Sequence, residues 1–218
     1  MTAGDRDRAF WERHARRYDR STRMLGKPLP RALALTAAAV RGRGRVLELA
    51  AGTGLFTAAI APEVGALVAT DYAQAMVDAL SARVRVAGLT NVTCARADLY
   101  DLPYADASFD AVVAANVLHL VPDLPGALAS IRRVLRPDGV LVAPTYLHRG
   151  SVVAAMLSRL AALTGFPAHR RFDAAGLAAA LAAAGFEVGE RETIPGLFAI
   201  GHVVATRARH AVERPTGA

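Results

Sequence analysis

From Arg45 onward the chain alternates between two hydrophobic periods. Short apolar runs stand at 45–50 (RVLELA), 65–70 (GALVAT), 91–95 (NVTCA), 109–115 (FDAVVAA) and 139–144 (GVLVAP). Their length and their valine and leucine content predict strands. Stretches near 54–62, 73–87, 123–136 and 173–184 space their apolar residues as helices do. Strands this apolar, separated by helices, predict a parallel sheet covered on both faces.

Both ends depart from that alternation. Phe186 to Glu192 alternates like a half-exposed strand, Ile194-Pro195-Gly196 turns, and Leu197 to Arg207 reads as a further strand. The pair predicts an antiparallel hairpin at the sheet's edge. At the front, Phe10, His14 and Tyr18 recur every fourth residue with Trp11 and Ala15 beside them, predicting a helix over 5–25. Gly26-Lys27-Pro28-Leu29-Pro30 breaks it, and Arg31 to Val40 forms a second, alanine-rich helix. Between the fifth strand and the 173–184 helix lies an additional apolar helix, Ser151 to Leu163, which a minimal α/β unit does not need. It is expected to serve as a lid.

At 218 residues, with 53% apolar and 21% charged side chains, the chain can bury one sizeable core and is too apolar for disorder. One domain is expected over 1–218: a helical cap (1–44), a ligand-binding core (45–145), a lid insertion (146–172), a C-terminal helix and edge hairpin (173–207) and a tail (208–218). A single cysteine, Cys94, excludes a disulfide framework and any multi-thiol metal site. The most apolar long stretch, Ser151 to Ala168, is interrupted by Arg159, and the N-terminus has no apolar signal region. A soluble, cytoplasmic protein is therefore expected. The net charge of +7 is concentrated at the front, where residues 1–45 hold 12 basic and four acidic side chains. No basic stripe with interleaved aromatics runs through the rest, so nucleic acid is not an expected partner. The basic 5–25 helix suits either simple solvation or peripheral contact with an anionic membrane.

The candidate chemistry begins at VLELAAGTGLF (46–56), which puts a carboxylate inside an apolar run and two glycines around a threonine. In an open parallel sheet, ligands bind beyond the carboxyl ends of the strands where strand order reverses. Gly52 and Gly54 let the backbone turn there and approach a ligand closely. Asp71 ends the second strand, where a carboxylate can take both hydroxyls of a ribose, and Asp98 follows the third, placed to accept from an adenine amino group. A nucleoside cofactor follows. The dinucleotide fingerprint requires a third glycine, and Thr57 stands in its place.

On these residues the chain resembles the class I S-adenosylmethionine-dependent methyltransferases, in particular their small-molecule "type 11" branch. The resemblance covers roughly residues 10–206. It is carried by Glu48-Leu49-Ala50-Ala51-Gly52-Thr53-Gly54, Thr70-Asp71-Tyr72 with Met76, and Ala97-Asp98-Leu99-Tyr100-Asp101-Leu102-Pro103-Tyr104. It continues through Ser108-Phe109-Asp110, Asn116-Val117-Leu118-His119, Val134-Leu135-Arg136-Pro137-Asp138-Gly139 and the leading segment Trp11 to Asp19. Ala50 and Asp138 depart from the pattern, each replacing a usual glycine.

The resemblance implies a Rossmann-like, doubly wound, mostly parallel seven-stranded sheet and S-adenosyl-L-methionine as cofactor. It implies that Glu48 belongs to the charge network of the cofactor's methionine end and that Gly52, Thr53 and Gly54 with Ala50 make room for that tail. Asp71 would clamp the ribose. Asp98 and Leu99 would meet the adenine, Tyr72 and Met76 would pack beside it, and Tyr18, Asn116 and Val117 would complete the pocket. The leading helix would fold over the cofactor with its aromatic strip of Phe10, Trp11, His14 and Tyr18.

Methyl transfer from a sulfonium is an in-line displacement, so alignment supplies much of the rate. An oxygen, sulfur or carbon nucleophile of high pKa also needs a base, whereas an amine needs none. The candidates are His119 after strand four, Tyr146 and His148 after strand five, and His14 on the leading helix; His169 follows the lid. His119 equally suits packing against the cofactor. No carboxylate or thiol stands at ligand spacing from these histidines, so no metal is expected.

The leading expectation is methyl transfer to a small-molecule acceptor, with a membrane amphiphile such as a phospholipid amine or a quinone as the alternative acceptor. A nicotinamide oxidoreductase is disfavoured by Thr57 and by the lack of a Tyr-x-x-x-Lys pair, Lys27 being the only lysine. A non-catalytic cofactor-binding protein remains the other class. Oligomeric state is left open.

Overall fold

The structure, a computed structural model of the chain, describes residues 7–13, 28–147, 156 and 169–208. His14, Tyr18, His148, the expected lid helix at 151–163 (apart from Met156) and the tail from residue 209 lie outside the described residues. Of the expected 5–25 helix, residues 7–13 are described and are helical.

The elements run α1 (Pro28–Val40), β1 (Arg45–Leu49), α2 (Leu55–Ile60), β2 (Ala66–Asp71), α3 (Gln74–Val86), β3 (Val92–Arg96) and β4 (Phe109–Val113). They continue with α4 (Leu124–Val134), β5 (Leu135–Val142), β6 (Thr145–Leu147), α5 (Ala174–Ala183), β7 (Phe186–Ile194) and β8 (Ala199–Arg207). The strands form one sheet in the order β3-β2-β1-β4-β5-β8-β6, with β7 also paired to β8. Neighbours from β3 through β5 are parallel, and β8 runs antiparallel to β5, β6 and β7. This is the Rossmann-like, mostly parallel α/β architecture with a C-terminal antiparallel hairpin.

Three details depart from the expected boundaries. Among the described residues the sheet has eight strands rather than seven, because Pro144 has no N–H to donate and cuts one long strand into β5 and β6. Both pieces pair with the same partner, β5 with 204–206 and β6 with 199–201 of β8. In the hairpin, the second strand is inserted between β5 and β7. Finally, α1 starts at Pro28, inside the segment expected to break the chain. Proline is tolerated in a first helical turn, where its missing N–H has no intrahelical partner to lose.

The sheet's two faces are read from alternate side chains. Leu47, Leu49, Val112 and Leu141 point to one face, where they meet Leu128 and Ile131 of α4 and Leu177 and Leu181 of α5. Val46, Val113, Val140 and Val142 point to the other and meet Leu29 and Ala32 of α1 and Phe56 and Ile60 of α2. On α1 the buried positions Leu29, Ala32, Thr36 and Val40 recur at helical spacing. Asp123 and Asp173 cap α4 and α5 by accepting from Gly126 N and Gly176 N. Strand order reverses between β1 and β4, which opens a crevice above the carboxyl ends of β1, β2 and β4.

Candidate cofactor site

The loop after β1 leaves the strand through left-handed backbone: Ala50 has φ 50°, Gly52 φ 56° and Gly54 φ 86°. It is fixed to the end of β2, where Ala51 N donates to Thr70 O at 2.8 Å and Gly52 N to Asp71 Oδ2 at 2.9 Å. The other oxygen of Asp71 accepts from Ala73 N at 3.0 Å. Another left-handed non-glycine residue, Asn116 (φ 53°), turns the chain after β4. Asparagine adopts this conformation more readily than most residues.

These turns enclose a cavity of about 320 Å³, within the size range of small-molecule sites. Leu49, Ala50 and Gly52 form one wall, and Thr70, Asp71, Tyr72 and Met76 a second. Ala97, Asp98, Leu99 and Tyr100 follow from the loop after β3. The segment from Ala115 to Val117 with Leu120 to Pro122 closes the opposite side, and Asp7, Arg8 and Trp11 cover the mouth. Asn116 Oδ1 is buried and has no partner among the described residues. Burial pushes the Asp71 carboxyl up to about 6 despite its backbone donors.

A methyltransferase-domain family model matches residues 47–143. The chain is 32% identical over 231 residues to a demethylmenaquinone methyltransferase of Clavibacter sepedonicus, covering 95% of this chain and 93% of that protein. A second demethylmenaquinone methyltransferase, from Lactobacillus johnsonii, is 38% identical over 97 residues, 43% of this chain and 40% of that one. Among solved structures, the DhpI–SAH complex superposes with a TM-score of 0.73 at 23% identity, covering 94% of this chain and 97% of that one. A SAM-dependent methyltransferase from Aquifex aeolicus gives 0.64 at 19% identity, covering 87% and 89%. The chain belongs to the class I S-adenosylmethionine-dependent methyltransferases. Its cofactor is S-adenosyl-L-methionine.

In this methyltransferase nine of the residues expected from sequence line the cavity: Ala50, Gly52, Asp71, Tyr72, Met76, Asp98, Leu99, Asn116 and Val117. Others are placed elsewhere. Glu48 is 1% exposed and faces away from the cavity, because strand alternation puts its neighbour Leu49 on the cavity side. Its Oε2 accepts from Thr57 Oγ1 at 2.6 Å, so the threonine that replaces the third glycine is the partner of this acid. Burial pushes the Glu48 carboxyl up to about 8, against the Thr57 hydrogen bond and with help from the nearby Asp71. Thr53 is buried outside the cavity wall. Gly54 is needed for packing: a Cβ there would stand 2.7 Å from Leu80 Cδ1 of α3.

The two described base candidates also lie off the wall. His119 is 2% exposed, and its ring meets Tyr146 edge-on at 6.3 Å. Tyr146 sits within β6, not in a loop above the sheet, and meets Phe198 at 6.5 Å. The fold therefore brings His119 and Tyr146 together behind the 116–122 wall. His169 pairs with Asp7, its Nε2 2.9 Å from Asp7 Oδ2. Sequence reasoning missed Asp7, Arg8 and Leu120 as wall residues, and no local pattern marks them; Tyr100 stood within the motif after Leu99 but was given no role. Trp11, from the aromatic strip expected to cover the cofactor, lines the cavity.

Proposed function

We propose that this methyltransferase transfers the methyl group of S-adenosylmethionine to a ring carbon of a small, apolar hydroquinone-type acceptor. The observation that carries this reading is the likeness to the Clavibacter sepedonicus demethylmenaquinone methyltransferase, which runs nearly end to end on both chains. The cavity supports it: Leu49, Trp11, Val117, Leu120 and Val121 give its walls an apolar character suited to a ring.

When bound, the cofactor supplies an electrophilic methyl on a positively charged sulfur. The chain's part is to bind and align. Asp71 would accept from the ribose hydroxyls, Asp98 and Leu99 would meet the adenine, and Tyr72 and Met76 would pack beside it. Gly52 would leave room for the methionyl tail, and Asn116 Oδ1 would accept from a donor of the cofactor. In the transfer, an ionised hydroquinone directs electron density from a ring carbon onto the methyl. The methyl's bond to sulfur would be exchanged for a bond to the ring carbon, and the ring proton would pass to water to restore aromaticity. His119 supports the wall from behind rather than serving as the base.

Labelled S-adenosylmethionine supplied with a short-chain demethylmenaquinol, a thiol, a phenol and an amine should give labelled product with the quinol. Turnover confined to the thiol or the amine would overturn the acceptor class while leaving the methyltransferase intact.

A further inference from the structure

The first N–H groups of a helix need acceptors from outside it. The N-cap of α3 is Ala73, which offers no side-chain acceptor. Two carboxylates serve instead. Asp71 takes Ala73 N, while Glu12 accepts from Gln74 N through Oε1 at 2.7 Å and from Ala75 N through Oε2 at 2.9 Å. Glu12 belongs to the separate helical residues 7–13, so α3 is capped by a carboxylate 62 residues earlier in the chain. The charge also complements the positive end of the α3 dipole.

The other end of residues 7–13 is tied to the opposite wall. Asp7 Oδ2 lies 2.9 Å from His169 Nε2, the imidazole nitrogen donating. His169 N in turn donates to His119 O at 3.1 Å, and Arg170 reaches the Pro122 carbonyl at 3.0 Å. Between the two ties, Arg8 and Trp11 face the cavity, and Trp11 packs beside Tyr72 and Met76.

We propose that Glu12 and Asp7 are positioning residues: two carboxylate ties that strap residues 7–13 across the cofactor cavity. The cofactor then enters and leaves by release of a tie. The inference rests on the reading of this cavity as the cofactor site. The Asp7–His169 pair is partly exposed, with side chains 18% and 30% accessible, and such pairs contribute little singly. The bidentate cap at Glu12 is the stronger hold, and the pair at Asp7 is the end that opens first.

Trp11 is the only tryptophan in the chain, so its emission reports the strap directly. In stopped-flow experiments on the full chain with S-adenosylhomocysteine, Glu12→Ala should speed dissociation about tenfold, the scale of a lost helix cap. It should also shift Trp11 emission of the free protein to the red. Glu12→Gln, which keeps one acceptor oxygen, should fall between, and Asp7→Asn should change the rate about two- to threefold. The melting temperature should fall by no more than about 2–4 °C in Glu12→Ala, the cost of one helix cap, and stay near the wild-type value in Asp7→Asn. Wild-type emission and dissociation in Glu12→Ala would overturn the strap. S-adenosylhomocysteine binding that leaves Trp11 emission unchanged and survives Gly52→Val would remove the cofactor from this cavity, and the strap with it.

Discussion

Ala50 is held at φ 50° with its side chain half-buried on the cavity wall, a conformation that disfavours residues with a Cβ by roughly 1–2 kcal/mol. Glycine removes that cost but adds roughly 0.5–1 kcal/mol of unfolded-state entropy. Ala50→Gly should therefore stabilise the protein by up to about 1 kcal/mol in urea unfolding. A loss of stability would show that the methyl group packs better than its backbone angle suggests. The same loop explains why Asp71 matters. Its two oxygens pin the β1 and β2 loops through Gly52 N and Ala73 N, and each retains capacity for another donor. One side chain thus shapes the cavity and presents an acceptor to it.

At the scale of elements, the glycine loop and α3 are fitted to each other. Gly54, at φ 86°, would bring a Cβ to 2.7 Å from Leu80 Cδ1 and 3.3 Å from Arg83 Cδ. Gly54→Ala should cost about 1–3 kcal/mol through overpacking and backbone strain. Its effect on cofactor affinity should arise through displacement of α3, whose first turn carries Met76 into the cavity. A thermal melt and a calorimetric titration with S-adenosylhomocysteine measure the two effects. Undiminished stability would mean that α3 yields easily and that its packing does not set the loop. Residues 7–13 act on the same element from the other side, since Glu12 supplies the cap that Ala73 lacks.

For the whole molecule, burial of Glu48 against the α2 face makes stability depend on pH. An acid whose folded pKa is raised holds its proton more tightly when folded, so stability falls as pH rises from the unfolded toward the folded value. For Glu48 the window runs from 4.5 to about 8. Asp71 acts between 3.8 and about 6, so pH 6.5 to 8.5 isolates Glu48. His202, whose pKa burial holds below the usual 6.5, contributes only at the low end of that range, where the unfolded imidazole is still partly protonated, and with the opposite sign. The melting temperature should fall across the range in the wild type and stay flatter in Glu48→Gln, which keeps an acceptor for Thr57. Parallel curves would show that Glu48 is not the titrating group.

The sequence by itself determined the order of strands and helices and nine of the cavity's residues, because these depend on local periodicity and on motifs read along one chain. RVLELA, GALVAT, FDAVVAA and GVLVAP each became a sheet strand within a few residues of the expected ends, since runs this apolar must be buried. Only the tertiary structure decided which way Glu48 faces, that Thr57 is its partner, and that His119 and Tyr146 sit together behind the wall rather than on it. It alone placed β8 between β5 and β7 and set Glu12 on α3. Those outcomes join residues far apart in the chain, and what selects them is the pairing of unsatisfied N–H groups and buried carboxylates across elements. No spacing along the sequence encodes that.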